Sequence, residues 1–576
     1  MNPRIRVFAL ALLLCATAVV GWSLYQRAAS AAAPPTQLMP EGALLCIEAK
    51  DFAGLLHDWS SSPEKAQWVK SDNYAVFSNS RLFLRLSKAS DEFKAAAGIS
   101  PDMNFLGQAA GQESALAVYD IGELHFLYVT RLPAGSSFLQ SPLWQSRNKF
   151  QTRTAGGIQF FTRSDQESSR TVAFSVAGDY LVLGTRDDLV AGALELYSGT
   201  KGRTMAQESW YTQALASAPK NPGDLRMVLH MEKVAVTPHF RTYWIQQNIT
   251  QMQGYLSAVS DLYREGATYR EERVMLAKKP AEDDAAFTQA AQSVSGLLPL
   301  VPREYGFYQA RATDAKGSLA VLQQKILAPT FGAAVAEKLA PQVQLGSGEI
   351  GTGSDLETRI DVEQAPRTAN ESSAAGLLKQ LEAASPQALL VLQGARKNKD
   401  GVLLNIPTVM VLSASGNWDL AGVQKAMQDV IAPGMTASSL GLQWREIRDA
   451  GGYYDLDGLY PVQIAVRGKL LYVSNQAEML SSVLQTKPAA SPAQQVSYAA
   501  GFNHARERQS FYDLTTVADQ SAVAARSNGS QQREPQFFSD NVSSFSRSFA
   551  RVAAEEVVGR QTKNRMQQTV TYHWSQ

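Results

Sequence analysis

The chain has 576 residues, 45% hydrophobic and 19% charged, an ordinary globular balance with room for roughly three to four domains. Lys and Arg number 54 against 53 Asp and Glu, for a net charge of +1. That leaves no basic field for a nucleic acid and no acidic field for cationic partners.

The first six residues carry Arg4 and Arg6, the basic n-region of an exported chain. Val7 to Tyr25 follows without a charge. A bilayer core needs about 20 such residues, whereas a signal-peptide core is usually shorter. Trp22 and Tyr25 stand where interfacial aromatics belong, but Ala29-Ser30-Ala31 also offers a small-residue cleavage site. The segment therefore reads as a transmembrane anchor, with a cleaved signal as the alternative. In either case the basic end stays inside and the bulk is exported. The expected address is a bacterial cell membrane, single-pass, with the bulk on the periplasmic or extracellular side, or the periplasm itself after cleavage. A linker, 26–37, leads to the exported mass. Cys15 lies in the apolar run, so Cys46 in "ALLCIEA" has no partner for an intrachain disulfide and is expected to pack as a small hydrophobe.

The exported mass begins with Pro40, a loop and a β run within "LMPEGALLCIEAKDFAGLL" (38–56). Helical spacing is found around Gln67 to Ala97, and residues 115–132 read as a hairpin turning near Gly122. "GDYLVLGTRDDLVAGALELYSG" (178–199) encodes a strand, a capped turn and a helix. Thr185 is the expected N-cap, Asp188 its capping-box partner, and Gly199 the stop. "LRMVLHMEKVA" (225–235) is a predicted strand with Met227, Leu229 and Met231 on its buried face. Ile245, Ile249, Met252, Leu256 and Val259 predict an amphipathic helix, and a β-like run over 267–276 follows.

The same order then recurs. "LVPREYGFYQARATDAKGSL" (300–319) answers 38–56, and "QALLVLQ" (387–393) answers "SALAVYD" (114–120). A helix is expected from Leu420 to Ile431. "GKLLYVSNQAEMLSSVLQTK" (468–487) repeats the strand, cap and helix, with Asn475 as cap and Glu478 as partner. "RQSFYDLTTVA" (508–518) is matched to 225–235. Phe538, Val542, Phe545, Phe549 and Val552 form a second helical stripe, before a final β-like run over 567–574. Several matches in one order predict an internal duplication. The fold class expected is α+β: two tandem domains, 38–277 and 297–576, joined by a linker over 278–296. Each is a mostly antiparallel sheet with helices on one face.

The search for chemistry returns little. "GSGEIG" (346–351) fits G-x-G-x-x-G but lacks the strand before and the helix after that a dinucleotide site needs. "DLDG" (455–458) lacks the remainder of a calcium loop and reads as a turn. Asp187 and Asp188 suit a helix start, where acids complement the dipole. His230 and Glu232, on one face of the predicted strand, with His239 nearby, are weak metal candidates, since they lack a partner pattern. No nucleophile elbow, H-E-x-x-H or phosphate loop occurs. No catalytic residue and no cofactor is assigned.

The stretches "LMPEGALLCIEAKDFAGLLHDWSSSP", "ALAVYDIGELHFLYVTRL" and "GDYLVLGTRDDLVAGAL" resemble a family of anchored bacterial proteins known as domain of unknown function 3352. The likeness covers most of the first half and, more faintly, the second. It implies location and fold and carries no catalytic residues. The expected function is a non-enzymatic envelope protein, anchored through its N-terminal segment, that binds a protein, lipid or glycan. An extracytoplasmic hydrolase with a site between the two domains is the alternative.

Overall fold

The computed structural model describes residues 33–70, 74, 78–79, 81–200, 202–237, 253–266, 268–279, 284–303, 305–327, 371–394, 407–435, 442–449, 451–457, 461–486, 495–507 and 552–574. The segment 7–25, "GSGEIG", His239, Ile245, Ile249, Met252, 508–518 and the stripe from Phe538 to Phe549 lie outside them.

The fold is α+β, and the strands among the described residues form one 20-stranded sheet. The first ten are β1 (Leu45–Ala49), β2 (Ser114–Asp120), β3 (His125–Arg131), β4 (Gln151–Ala155), β5 (Ile158–Ser164), β6 (Thr171–Ala177), β7 (Tyr180–Gly184), β8 (Leu225–Leu229), β9 (Tyr255–Glu265) and β10 (Thr268–Ala277). The others are β11 (Phe307–Ala312), β12 (Pro386–Gln393), β13 (Thr408–Ala414), β14 (Gln443–Ile447), β15 (Tyr453–Asp457), β16 (Val462–Arg467), β17 (Leu470–Ser474), β18 (Tyr498–Phe502), β19 (Val552–Gln561) and β20 (Arg565–Trp574).

The described pairings are all antiparallel and run in one line. From one edge the order is β4, β5, β6, β7, β3, β2, β1, β8, β9, β10. β10 then pairs β20, and the line continues β19, β18, β11, β12, β13, β17, β16, β15, β14. Read outward from the β10–β20 ladder, the two arms have the same order. Individual backbone bonds also recur at corresponding places. Leu132 N donates to Asp179 O at 2.7 Å, and Ala414 N to Lys469 O at 3.0 Å. His230 N meets Leu44 O at 2.9 Å, and Asn503 N meets Gly306 O at 2.8 Å. After β1 and β11 the chain enters a helix in the same way. Asp51 accepts from Gly54 N at 3.0 Å and Asp314 from Gly317 N at 2.7 Å, two side-chain N-caps.

Helices cover both faces of the sheet, where one face was expected. β7 shows why. Tyr180 and Val182 join the core beneath the helix Asp187–Ser198, whereas Leu181 and Leu183 join Phe93, Phe105 and Phe174 on the opposite side. In β13, Met410 and Leu412 meet Leu377, Val423 and Met427, while Val409 and Val411 meet Val294, Leu480 and Val483. A strand that buries alternate residues on opposite faces needs a helical layer on each.

Other expectations divide. The hairpin turning near Gly122 forms as β2 and β3, and a helix spans Leu420–Met435. Leu256 and Val259, read as helical, lie in β9, and Val552 in β19. Their spacing fits a helix, but long-range ladders to β8, β10, β18 and β20 override it. β18 (Tyr498–Phe502), not 508–518, holds the place that corresponds to β8. The 278–296 segment is more than a linker. It contains the helix Asp284–Ser295, whose Val294 is fully buried against β11 and β12.

Candidate functional site

Three neighbouring strands carry charge on their covered face. Glu48 of β1 is the Cα partner of Arg226 in β8. Arg226 in turn is the partner of Asp261 in β9. Residues directly opposite in an antiparallel pair share a face, so the three form one row across the sheet. Arg226 grips Asp261 with two bonds, Nε to Oδ1 at 2.7 Å and Nη2 to Oδ2 at 2.8 Å. The Asp261 carboxylate, fully buried, also accepts from Gly223 N at 3.0 Å, and Arg226 Nη2 donates to Pro219 O at 3.0 Å. Burial works against the Arg226 charge, but the bonds to Asp261 outweigh it and hold the guanidinium ionised.

The helix Ser209–Ser217 lies over this row. Its Tyr211 hydroxyl donates to Glu48 Oε1 at 2.5 Å. Burial pushes the Glu48 carboxyl above the usual carboxylate range. Tyr211 and Arg226 pull the other way, while Asp261 and Glu113 add to the rise. Burial, then Glu48, likewise pushes up the Cys46 thiol two residues away, which is fully enclosed and packs as a small hydrophobe. In the other arm the corresponding row is Ala310, Ala499 and Val558, three apolar partners in register. The ionic row therefore belongs to one arm alone.

His230 sits just beyond β8, at the same N-terminal end of the helix as Tyr211. It is 7% exposed and stacks on Trp210, centroids 4.8 Å apart and planes 9° from parallel. Burial, then nearby Lys233, push its imidazole below the usual histidine range. Its Nδ1 and the Trp210 Nε1 are buried without a hydrogen-bond partner.

The predicted strand with His230 and Glu232 on one face is not formed. β8 ends at Leu229, and Met231–Val234 is a helical turn. Glu232 is exposed and pairs with Lys278 at 3.4 Å. The buried phase of β8 is also shifted by one residue, to Arg226 and Val228 in place of Met227 and Leu229, because Arg226 turns inward to Asp261. Among the described residues no three His, Cys, Asp or Glu side chains gather to hold a metal ion.

The four expected caps are placed differently from their prediction. Arg186 and Gln476 take the N-cap positions, without side-chain caps. Thr185 and Asn475, both buried, turn instead to the neighbouring strand. Thr185 Oγ1 accepts from Phe126 N at 2.9 Å, and Asn475 Oδ1 accepts from Thr408 N at 2.8 Å. Asp188 binds Arg186 Nε at 2.9 Å, and Asp187 pairs with Arg153. Glu478 stands exposed in the first helical turn, where its charge complements the dipole. "DLDG" is no turn: Asp455 to Asp457 lie in β15, and Asp455 pairs with Arg445 at 3.1 Å.

An open groove of about 510 Å³ runs over Arg85, Lys88, Glu92 and Glu123. Its charges are matched to one another, with Arg85 reaching Glu92 at 3.4 Å and Glu123 at 3.5 Å. Arg170, buried behind it, binds Glu92 through Nε at 3.1 Å.

No family model matches the chain, and no curated protein does. Among solved structures, a crystal form of TP0453 is similar over 46% of this chain and 86% of its own, at 10% identity. The TM-score of 0.22 is too low to carry an argument. Among the described residues no helix is long and apolar enough to cross a membrane.

Proposed function

We propose that the chain is a non-enzymatic envelope protein, tethered or exported through 7–25, whose exported mass is a tandem duplication serving as a binding or scaffold module. The observation that carries this reading is the strand order, which repeats outward from β10–β20 on both sides. Ten strands in matching order, with matching bonds at matching places, are hard to reach by chance. The family resemblance points to the same kind of protein, and the partner it would serve is a protein, lipid or glycan of the envelope.

The arrangement of the arms also weighs against a hydrolase built between them. They meet edge to edge through a ladder that pairs Thr268 with His573 at one end and Leu276 with Arg565 at the other. That ladder of backbone bonds closes the space between the two edge strands. Two of the buried ion pairs elsewhere are closed on themselves, Arg226 with Asp261 and Arg170 with Glu92.

Topology mapping of the full chain, tagged at its C-terminus and produced in a bacterial cell, tests the reading. The tag is expected to fractionate with the membrane and to be digested by protease added to spheroplasts. Deleting residues 1–32 is expected to leave it inside and protected. A tag protected in the full chain contradicts the address. Turnover of general ester, phosphate or glycoside substrates that disappears in His230→Ala contradicts the non-enzymatic reading.

A further inference from the structure

We propose that Glu48 is a proton-holding latch: with its proton it keeps the helix Ser209–Ser217 seated on the sheet, and on losing it the helix lifts. The inference stands on the charge count and geometry of the row and does not depend on the chain's address.

The row contains two carboxyl groups and one guanidinium. Arg226 is already committed to Asp261 by two bonds and to Pro219 O by a third contact. Glu48 is left with the Tyr211 hydroxyl. The groups that face or influence it from the surrounding elements are Cys46 on its own strand, Arg226 on β8, Asp261 on β9, Tyr211 on the helix above, and Glu113 next to β2. Only Arg226 among them is a cation. An ionised Glu48 would therefore put a second negative charge, half-buried beneath the helix, beside a guanidinium already paired with Asp261. The neutral acid avoids that cost and still accepts the tyrosine proton. An ionised one gains by fuller hydration, which the overlying helix limits at this half-buried position. The other arm, with Ala310, Ala499 and Val558 in these places, has no such latch.

Hydrogen exchange of the purified full chain at pH 5.5 and pH 8, corrected for intrinsic exchange and read by mass spectrometry, tests the latch. Amides of 209–217 are expected to lose at least tenfold in protection at the higher pH, while those of 477–485 hold. In Glu48→Gln, which mimics the protonated acid, 209–217 is expected to be equally protected at both values. The triple variant Glu48→Ala, Arg226→Ala, Asp261→Val copies the other arm and is expected to show the same independence of pH. Equal protection of the natural chain at both pH values overturns the proposal. So does the same loss in Glu48→Gln as in the natural chain, or failure of Glu48→Gln to fold, since the amide is isosteric with the form required.

Discussion

Thr185 and Asn475 do one job at corresponding places. Each follows the last residue of a strand, β7 or β17, and uses a side-chain oxygen to receive an N–H at the start of the partner strand, β3 or β13, from Phe126 at 2.9 Å and from Thr408 at 2.8 Å. Each closes its ladder at the point where the chain leaves for a helix. Threonine and asparagine both supply an acceptor of the right reach, so either residue can make this bond.

The clamp is distinguishable from a helix cap by substitution. Thr185→Val is expected to cost about 1–3 kcal/mol, the penalty for a buried N–H left unsatisfied. Asn475→Asp is the sharper variant. At an N-cap aspartate is as good as asparagine. At a buried clamp it brings a charge into the core and is expected to destabilise by more than about 1 kcal/mol. Chemical denaturation of the two variants checks both; an unchanged Asn475→Asp favours the cap.

Asp261→Asn is expected to cost about 3–5 kcal/mol, because it strands the Arg226 charge inside the sheet. Arg226→Ala with Asp261→Val, copying Ala499 and Val558, is expected to cost less than Asp261→Asn alone. A double-mutant cycle by denaturant unfolding measures this. Additive losses would mean that the pair is not coupled.

Glu92 and Glu48 bend the stability curve in opposite directions. Burial alone would raise the Glu92 carboxyl, but Arg170 and then Arg85 outweigh it and hold it below the usual carboxylate range. A lowered acid contributes stability above its unfolded value and loses it as pH falls through the folded one. Glu48 is raised, so its contribution is complete below the ordinary carboxylate range and is lost as pH rises through its folded value. Thermal melting against pH is expected to flatten below the ordinary carboxylate range in Glu92→Gln and above it in Glu48→Gln. The reverse assignment would contradict both geometries.

Gly223 lies against β9. A Cβ there would stand 2.4 Å from Leu262 O and 2.7 Å from Leu262 N, both backbone atoms that cannot give way. Gly223→Ala is expected to cost about 1–3 kcal/mol through forced displacement, measured by denaturant midpoint. A neutral effect would contradict the close approach of the segment before β8 to Leu262 of β9.

Much of this architecture was legible because it is local. Hairpins such as β2–β3, and the strand and helix after Gly178, announce themselves through alternation, glycine and short-range apolar spacing. The matching order of the two arms could be read from the same signals. What escaped is set by long-range pairing. Leu256, Val259 and Val552 carry a helical spacing that the sheet overrides. The polar row was missed because Glu48, Arg226 and Asp261 stand far apart in sequence and meet only across β1, β8 and β9. One signal was present: a charge at an inward position in each of three apolar strands. The phase of β8, set one residue out, hid it by turning Arg226 to the outside.

Crosslinking at the centre of the β10–β20 ladder tests the joined-arm architecture most directly. Glu272 and Thr569 are opposite one another there. In the full chain carrying Glu272→Cys and Thr569→Cys, mild oxidation is expected to yield an intramolecular disulfide, identified by mass spectrometry of the monomer. Glu272→Cys with Gln568→Cys, one residue along and on the other face, is expected to give none. Absence of the first crosslink, or equal yields from the two pairs, would contradict two arms fused edge to edge into one sheet.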